Sequence, residues 1–249
     1  MAERGKIRVE RGQKRVRGVV AGEVIVDTDE PLLVWEKPYY PTYYFPAEGV
    51  RADVLTDTGE SSRTPSRGTA KVFSIHTDAV EVENAVLGYD DSPITELNGT
   101  YRVEWGAMDH WFEEDEEVYV HPRSPYTRID ALASSRHVVV SIDGVEVANS
   151  TSPVILFETG LPPRYYLPKT DVRMDLLVPS NTSTECPYKG TAEYWSVEIG
   201  DTVHEDIVWG YPFPARESAP IAGLVCFYNE KVDITLDGEP LERPRTIFS

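Results

Sequence analysis

The chain repeats itself. Sliding its 249 residues by 122 lays residues 16–76 over residues 138–198 without a gap. "PTYYFP" (41–46) falls on "PRYYLP" (163–168), and Gly22, Pro31 and Glu36 fall on Gly144, Pro153 and Glu158. Arg51 and Asp53 meet Arg173 and Asp175, and Gly68-Thr69-Ala70 meets Gly190-Thr191-Ala192. The same offset pairs Gly88-Tyr89 with Gly210-Tyr211; a further shift of two residues then pairs Gly99 with Gly223 and Asp109 with Asp233. Self-similarity at a fixed period means one folding unit used twice. The expected organisation is a basic tail over 1–15, a first repeat over 16–132 and a second over 137–249. "ALASSR" (131–136) is the expected junction.

Within each repeat the pattern is that of strands. "VVVSIDGVEVANS" is a hairpin pattern around Asp143-Gly144, because that dipeptide takes the positive φ angles of a two-residue turn. "PVILFE" is a short run apolar on both sides, suited to a buried strand. "VRMDLLV" reads as a strand with Val172, Met174 and Leu176 on one face and Arg173 and Asp175 on the other. "TAEYWSVEI" and "LVCFYNEKVDITLDG" add further strands, the second running to a turn at Asp237-Gly238. Turn residues every 8–12 positions predict an all-β architecture. One short helix is expected in "DHWFEEDEEVYVHP".

Charge narrows the function classes. The net charge is −18, yet residues 1–17 carry seven Lys and Arg against two Glu. A body this acidic repels phosphate backbones, so nucleic-acid binding by the folded part is not expected. The basic segment is read as a solvated arm or as lying on the protein's own acidic surface. No run of about 18 apolar residues exists to span a membrane, and Arg17, Gly18, Gly22 and Glu23 break the N-terminal apolar stretch. A soluble, cytoplasmic protein is expected. Two cysteines, Cys186 and Cys226, give neither a disulfide framework nor a Cys-based zinc site. The five histidines lack ligand spacing, so neither a metal nor a cofactor is expected.

Three segments carry a likeness. "HWFEEDEEVYVHPRSPY" (110–126), "LFETGLPPRYYLP" (156–168) and "CPYKGTAEYWSV" (186–197) resemble the bacterial domain-of-unknown-function 427 family in its tandem form. That resemblance implies two tandem β-tent-like domains, a fold similar to the thalidomide-binding domain of cereblon and the methionine sulfoxide reductase B domain. Several β-tent relatives bind zinc through paired CxxC motifs; this sequence has none, and the metal is not carried over. The family has also been labelled nucleotidyltransferase-like. Here no Gly-rich phosphate loop, and no aspartate pair beside a Gly-Ser signature, supports that label.

Duplication supplies an internal control, since positions shared by both copies serve the shared fold. The differing positions point to the second copy, where Arg164, Cys186, Tyr188, Lys189 and Trp195 stand opposite Thr42, Thr64, Ser66, Arg67 and Phe73. Cys186, three residues from Lys189, is the candidate nucleophile or redox thiol, with Lys189 as the second catalytic candidate. An inert thiol beside a lysine that grips an acidic neighbour is the competing reading. Cys226 is read as core. Tyr165 and Tyr166 point to opposite sheet faces, one to the core and one to a pocket. That pocket is expected to be lined by Trp195, Trp209, Tyr211 and Tyr188 with Arg164, Lys189 and Glu158, and to hold a small planar or cationic ligand in the second repeat or between repeats. Ordinary aromatic core packing is the alternative. "FEEDEE" (112–117) is read as an acidic rim meeting the basic segment, Arg123 or Arg128. Three function classes stay open: a small-molecule-binding module, an enzyme using Cys186 or Lys189 for thiol redox or group or nucleotidyl transfer, and a protein-interaction module.

Overall fold

The computed structural model describes residues 7–246 and 248–249, and the chain divides into two units, residues 1–124 and 125–249. The first unit begins with β1 (Arg8–Arg11), β2 (Val16–Val20), β3 (Glu23–Thr28), β4 (Leu32–Trp35), β5 (Thr42–Pro46) and β6 (Leu55–Thr64). It continues with β7 (Gly68–His76), β8 (Glu81–Asp91), β9 (Thr100–Val103), β10 (His110–Glu113) and β11 (Glu116–Glu117). The second unit repeats the set, with β12 (Ile129–Ala133), β13 (Val138–Ile142), β14 (Val145–Ser150), β15 (Val154–Glu158), β16 (Arg164–Leu167) and β17 (Leu177–Cys186). It closes with β18 (Gly190–Ile199), β19 (Thr202–Gly210), β20 (Val225–Phe227), β21 (Asp233–Leu236) and β22 (Glu239–Pro240). The fold is all-β. Among the described residues no helix is long and apolar enough to cross a membrane.

Both units solve the same topology. The first has a seven-stranded sheet, β1-β4-β5-β9-β8-β7-β6, and a four-stranded one, β11-β10-β2-β3; the second has β12-β15-β16-β20-β19-β18-β17 and β14-β13-β21-β22. Every pairing within these sheets is antiparallel. In the first unit the large and small sheets share one apolar core, in which Val16, Ile25, Tyr43, Phe45, Val86 and Trp111 meet. A smaller cluster of Val34, Tyr44, Ala70, Tyr89 and Leu97 occupies the opposite face of the large sheet. The second unit repeats this division around Tyr165 and Tyr166.

The tyrosine pairs explain themselves on this frame. Successive side chains of a strand face opposite ways, and here both faces are covered. Tyr43 and Tyr44 are 4% and 0% exposed, Tyr165 and Tyr166 7% and 1%. Of Tyr165 and Tyr166, expected to divide between core and pocket, Tyr166 packs in a second, smaller core, as Tyr44 does in the first unit, and Tyr165 faces the larger core.

Other expectations shift as well. "IRVER" alternates, so Ile7 and Val9 pack on the smaller cluster while β1 pairs with β4. Residues 8–11 are thus an edge strand, not tail; Arg4 and Lys6 of the expected tail lie outside the described residues. β12 is its twin, pairing Ile129 with Glu158 and Ala133 with Val154. Half of "ALASSR" is therefore strand, and the division between units falls before it. The expected strand "VRMDLLV" is broken: Val172 makes an isolated bridge to Ala148, and Met174–Leu176 form a 3-10 turn, matched by Ala52–Val54 in the first unit. Within these turns Arg51 holds Asp53 at 2.8 Å and Arg173 holds Asp175 at 2.6 Å. Both pairs are solvent-screened, so they shape a loop more than they stabilise the fold. The expected helix near residue 112 is instead the hairpin β10–β11, with Phe112 opposite Glu117. Its acidic residues meet the basic segment: Lys14 Nζ reaches Glu113 at 2.5 Å, the Arg15 amide donates to Glu114 at 2.9 Å, and Arg17 reaches Asp115 at 2.8 Å. Arg123 is 3.7 Å from Glu116, whereas Arg128 pairs with its own neighbour Asp130.

Candidate functional site

Each unit carries a cleft at the same place, against the strand that holds the tyrosine pair and beneath the segment that follows the short hairpin. The first, of about 170 Å³, is walled by Tyr40, Tyr43, Trp105, Trp111 and His121. Trp105 sits in the 3-10 turn after β9 and Trp111 in β10. The two indoles stack with centroids 5.2 Å apart, and Trp111 Nε1 donates to the Trp105 carbonyl at 3.0 Å. Tyr43 leans on both, at 6.4 and 6.1 Å. Gly18 lies on the strand beside Trp111, where an added Cβ would come within 2.9 Å of the indole. Across the cleft Tyr40 and His121 stack face to face at 3.8 Å. Burial holds the His121 imidazole below its ordinary pKa, against the opposing effect of its 2.8 Å contact with the Pro122 carbonyl. It is a neutral planar ring at pH 7.

One side of this cleft is charged. Glu36, just beyond β4, accepts from Arg102 at 2.9 Å, from Arg67 at 2.7 Å and from the Tyr44 hydroxyl at 2.8 Å. Burial, and then the Glu36 charge, push the Tyr44 hydroxyl well above its ordinary pKa, so it remains a donor. Arg102 also pairs with Glu104. Two guanidiniums and two carboxylates thus form a closed network, with Arg102 and Glu104 presented on the cleft wall. Deeper in the unit, Glu113 is 6% exposed and is held by Lys14 and by the Tyr43 hydroxyl at 2.6 Å. A carboxylate buried so far must be paired.

The second unit places the expected site residues differently. Arg164 is buried and grips Glu230 through two bonds of 2.7 and 2.8 Å. Its guanidinium lies against the rings of Trp209, Tyr228 and Phe248 at 5.5, 5.9 and 5.7 Å. Trp209, Tyr211 and Tyr166 pack in the smaller core, where Trp209 Nε1 donates to Tyr166 Oη at 3.2 Å. Desolvation raises the pKa of the Tyr166 and Tyr211 hydroxyls, which keeps both neutral. Trp195 is half-buried on the opposite core, with the Lys169 ammonium 4.9 Å from its ring. Lys189 is bound to Glu158, both nearly buried. The Tyr188 carbonyl accepts from Ser218. Cys186 ends β17, half-exposed, while Cys226 is fully buried with its thiol pushed up to about 12 by desolvation. Of the ligand-binding residues expected from sequence, only Tyr165 lines the second cleft. Tyr166, Trp209 and Tyr211, expected on a pocket wall, pack in the smaller core, and Trp209 with Tyr228 and Phe248 surrounds the Arg164 guanidinium.

Sequence reasoning missed Arg102, Trp105, Trp111 and His121 in one unit and Glu230 and Asn229 in the other. A signal was present. By strand register Arg102 is the first unit's counterpart of Cys226, and Thr42 is the counterpart of Arg164. Each unit places one arginine on this pair of strands, Arg102 on β9 in the first and Arg164 on β16 in the second.

Among the described residues no three His, Cys, Asp or Glu side chains converge as a metal-ion site would require. The sequence profile of a domain of unknown function, DUF427, matches the chain twice, over residues 8–114 and 130–238. No curated protein matches it.

Proposed function

The chain belongs to the DUF427 family in both its halves, and from that premise we propose that it is a small-molecule-binding protein whose principal site is the aromatic cleft of the first unit. One observation carries this reading: five aromatic or imidazole rings wall a cleft whose remaining side presents Arg102 and Glu104. Rings give apolar area and flat faces, and a guanidinium–carboxylate pair gives a donor and an acceptor side by side. A small planar ligand with polar groups along one edge fits that combination. The group-transfer reading is weaker on the same grounds, because Lys189 would first have to leave Glu158.

Native mass spectrometry of the protein purified from its own host tests the proposal. The expected result is a retained small mass that disappears in Trp105→Leu and persists in Cys186→Ser. A retained mass indifferent to Trp105→Leu would move the site elsewhere, and one lost in Cys186→Ser without unfolding would revive the enzyme.

A further inference from the structure

The cleft of the second unit is built for different chemistry. It measures about 220 Å³, and Asn229 stands on its wall where the first unit has Trp105. Asn229 is 8% exposed, and its Nδ2 donates to the Pro163 carbonyl at 2.9 Å. That bond fixes which end of the amide is which. Its Oδ1 is buried and has no hydrogen-bond partner among the described residues. Buried acceptors left unpaired are rare and carry a desolvation penalty, so this atom marks a place where a donor belongs.

The surrounding groups say what kind of donor. Pro162, Pro163 and Pro244 contribute ring faces and have no amide hydrogen to offer. Val232, Ile234 and Leu241 supply an aliphatic floor, and the amides of Val232 and Leu241 are already committed to the carbonyls of Tyr228 and Ile234. The charged group at the rim, Glu242, is again an acceptor. Apart from the Tyr165 hydroxyl and the Asn229 Nδ2 already committed to Pro163, the side chains of this cleft accept hydrogen bonds or make none.

We infer that the second unit carries its own binding site, for a small, largely apolar molecule with a hydrogen-bond-donating head that is received by Asn229 Oδ1. A cavity of about 150 Å³ accommodates benzene, so this one has room for a ring with a short polar arm. The inference stands whether or not the first cleft binds anything.

Benzyl alcohol and anisole are isomers of nearly equal volume, and only the first has a donor. Both are titrated into the full chain with isotope-labelled Val, Ile and Leu methyl groups, followed by NMR. The expected result is that benzyl alcohol shifts the methyls of Val232, Ile234 and Leu241 and binds about ten-fold more tightly than anisole. Asn229→Leu should bring the two isomers within two-fold, and Leu241→Trp, which fills the cleft without touching Asn229, should abolish both. Equal binding of the isomers to the unaltered protein would overturn the inference. So would shifts confined to Val103 and Val120 of the first cleft, or none at all.

Discussion

Arg164→Met isolates what the buried ion pair contributes. The guanidinium side chain is 8% exposed and the Glu230 carboxylate 0%, and two charge-assisted bonds of 2.7 and 2.8 Å join them. Each such bond is worth about 1.5–3 kcal/mol, and removing one member of a buried pair strands the other, at about 3–5 kcal/mol. Thr246 still donates to Glu230 at 2.6 Å, which favours the lower end of that range. For a unit of this size the loss corresponds to a fall in Tm of roughly 10–20 °C. Replacing both members, Arg164→Met with Glu230→Leu, should recover most of it, because no charge is then left unpaired. pH supplies an independent check. Desolvation alone would raise the Glu230 carboxyl, but the bonds from Arg164 and Thr246 win and hold it below its ordinary value. A depressed carboxyl stabilises the fold above its unfolded pKa of about 4.3, and that stabilisation is lost as pH falls through the lower folded value. In Arg164→Met the desolvation is unopposed by the guanidinium, so protonation relieves the variant, and its deficit against the unaltered protein should shrink below about pH 5. Urea unfolding of the three proteins at pH 7 and pH 4, followed by circular dichroism, measures all of this. A single variant costing under about 1 kcal/mol, or a double variant no more stable than the single, would refute the reasoning.

Three further outcomes are expected. Gly210→Ala, whose new Cβ would sit 2.6 Å from the Leu224 carbonyl oxygen, should destabilise by about 1–3 kcal/mol, while Gly106→Ala, with nothing within 4 Å, should be close to neutral; equal urea midpoints would contradict this. Native protein treated with iodoacetamide at pH 8 should take one label, on Cys186, since the Cys226 thiol is buried and titrates near 12; mass spectrometry showing native labelling of Cys226 would contradict the burial. Lys14→Met should destabilise by about 1–3 kcal/mol, because it removes one of two partners from a carboxylate 6% exposed. An unchanged urea midpoint would mean that this lysine belongs to a solvated arm after all.

What the sequence disclosed was whatever repeats or alternates. The ungapped register of the two copies announced one topology used twice, and Asp143-Gly144 announced a turn that does take positive φ at both residues. β1 escaped notice because its inward residue Val9, like Ile7 just before the strand, stands between charged neighbours, and the count of charges obscured the alternation. The loop at 172–176 misled for the opposite reason: its residues alternate, yet the backbone turns. The candidate site was the least legible part. Arg164 and Glu230 are 66 residues apart, as are Glu36 and Arg102, and no local spacing couples either pair. The aromatic richness around "PRYYLP" was real, but those rings are spent on enclosing a charge. Trp105 and Trp111 gave no warning, since only the turn after β9 and the return of β10 bring them into stack.

The position of β12 has a consequence for anyone dividing the gene. A second half begun at residue 137, after the apparent junction, would lack the whole of β12 and leave β15 as the sheet's edge. Its backbone donors and acceptors from Val154 to Glu158 would face water along a run that includes Ile155, Leu156 and Phe157. An unpaired apolar strand of this kind recruits other chains. Such a fragment should be a seed for aggregates, and the same fragment begun at residue 125 should stay dispersed.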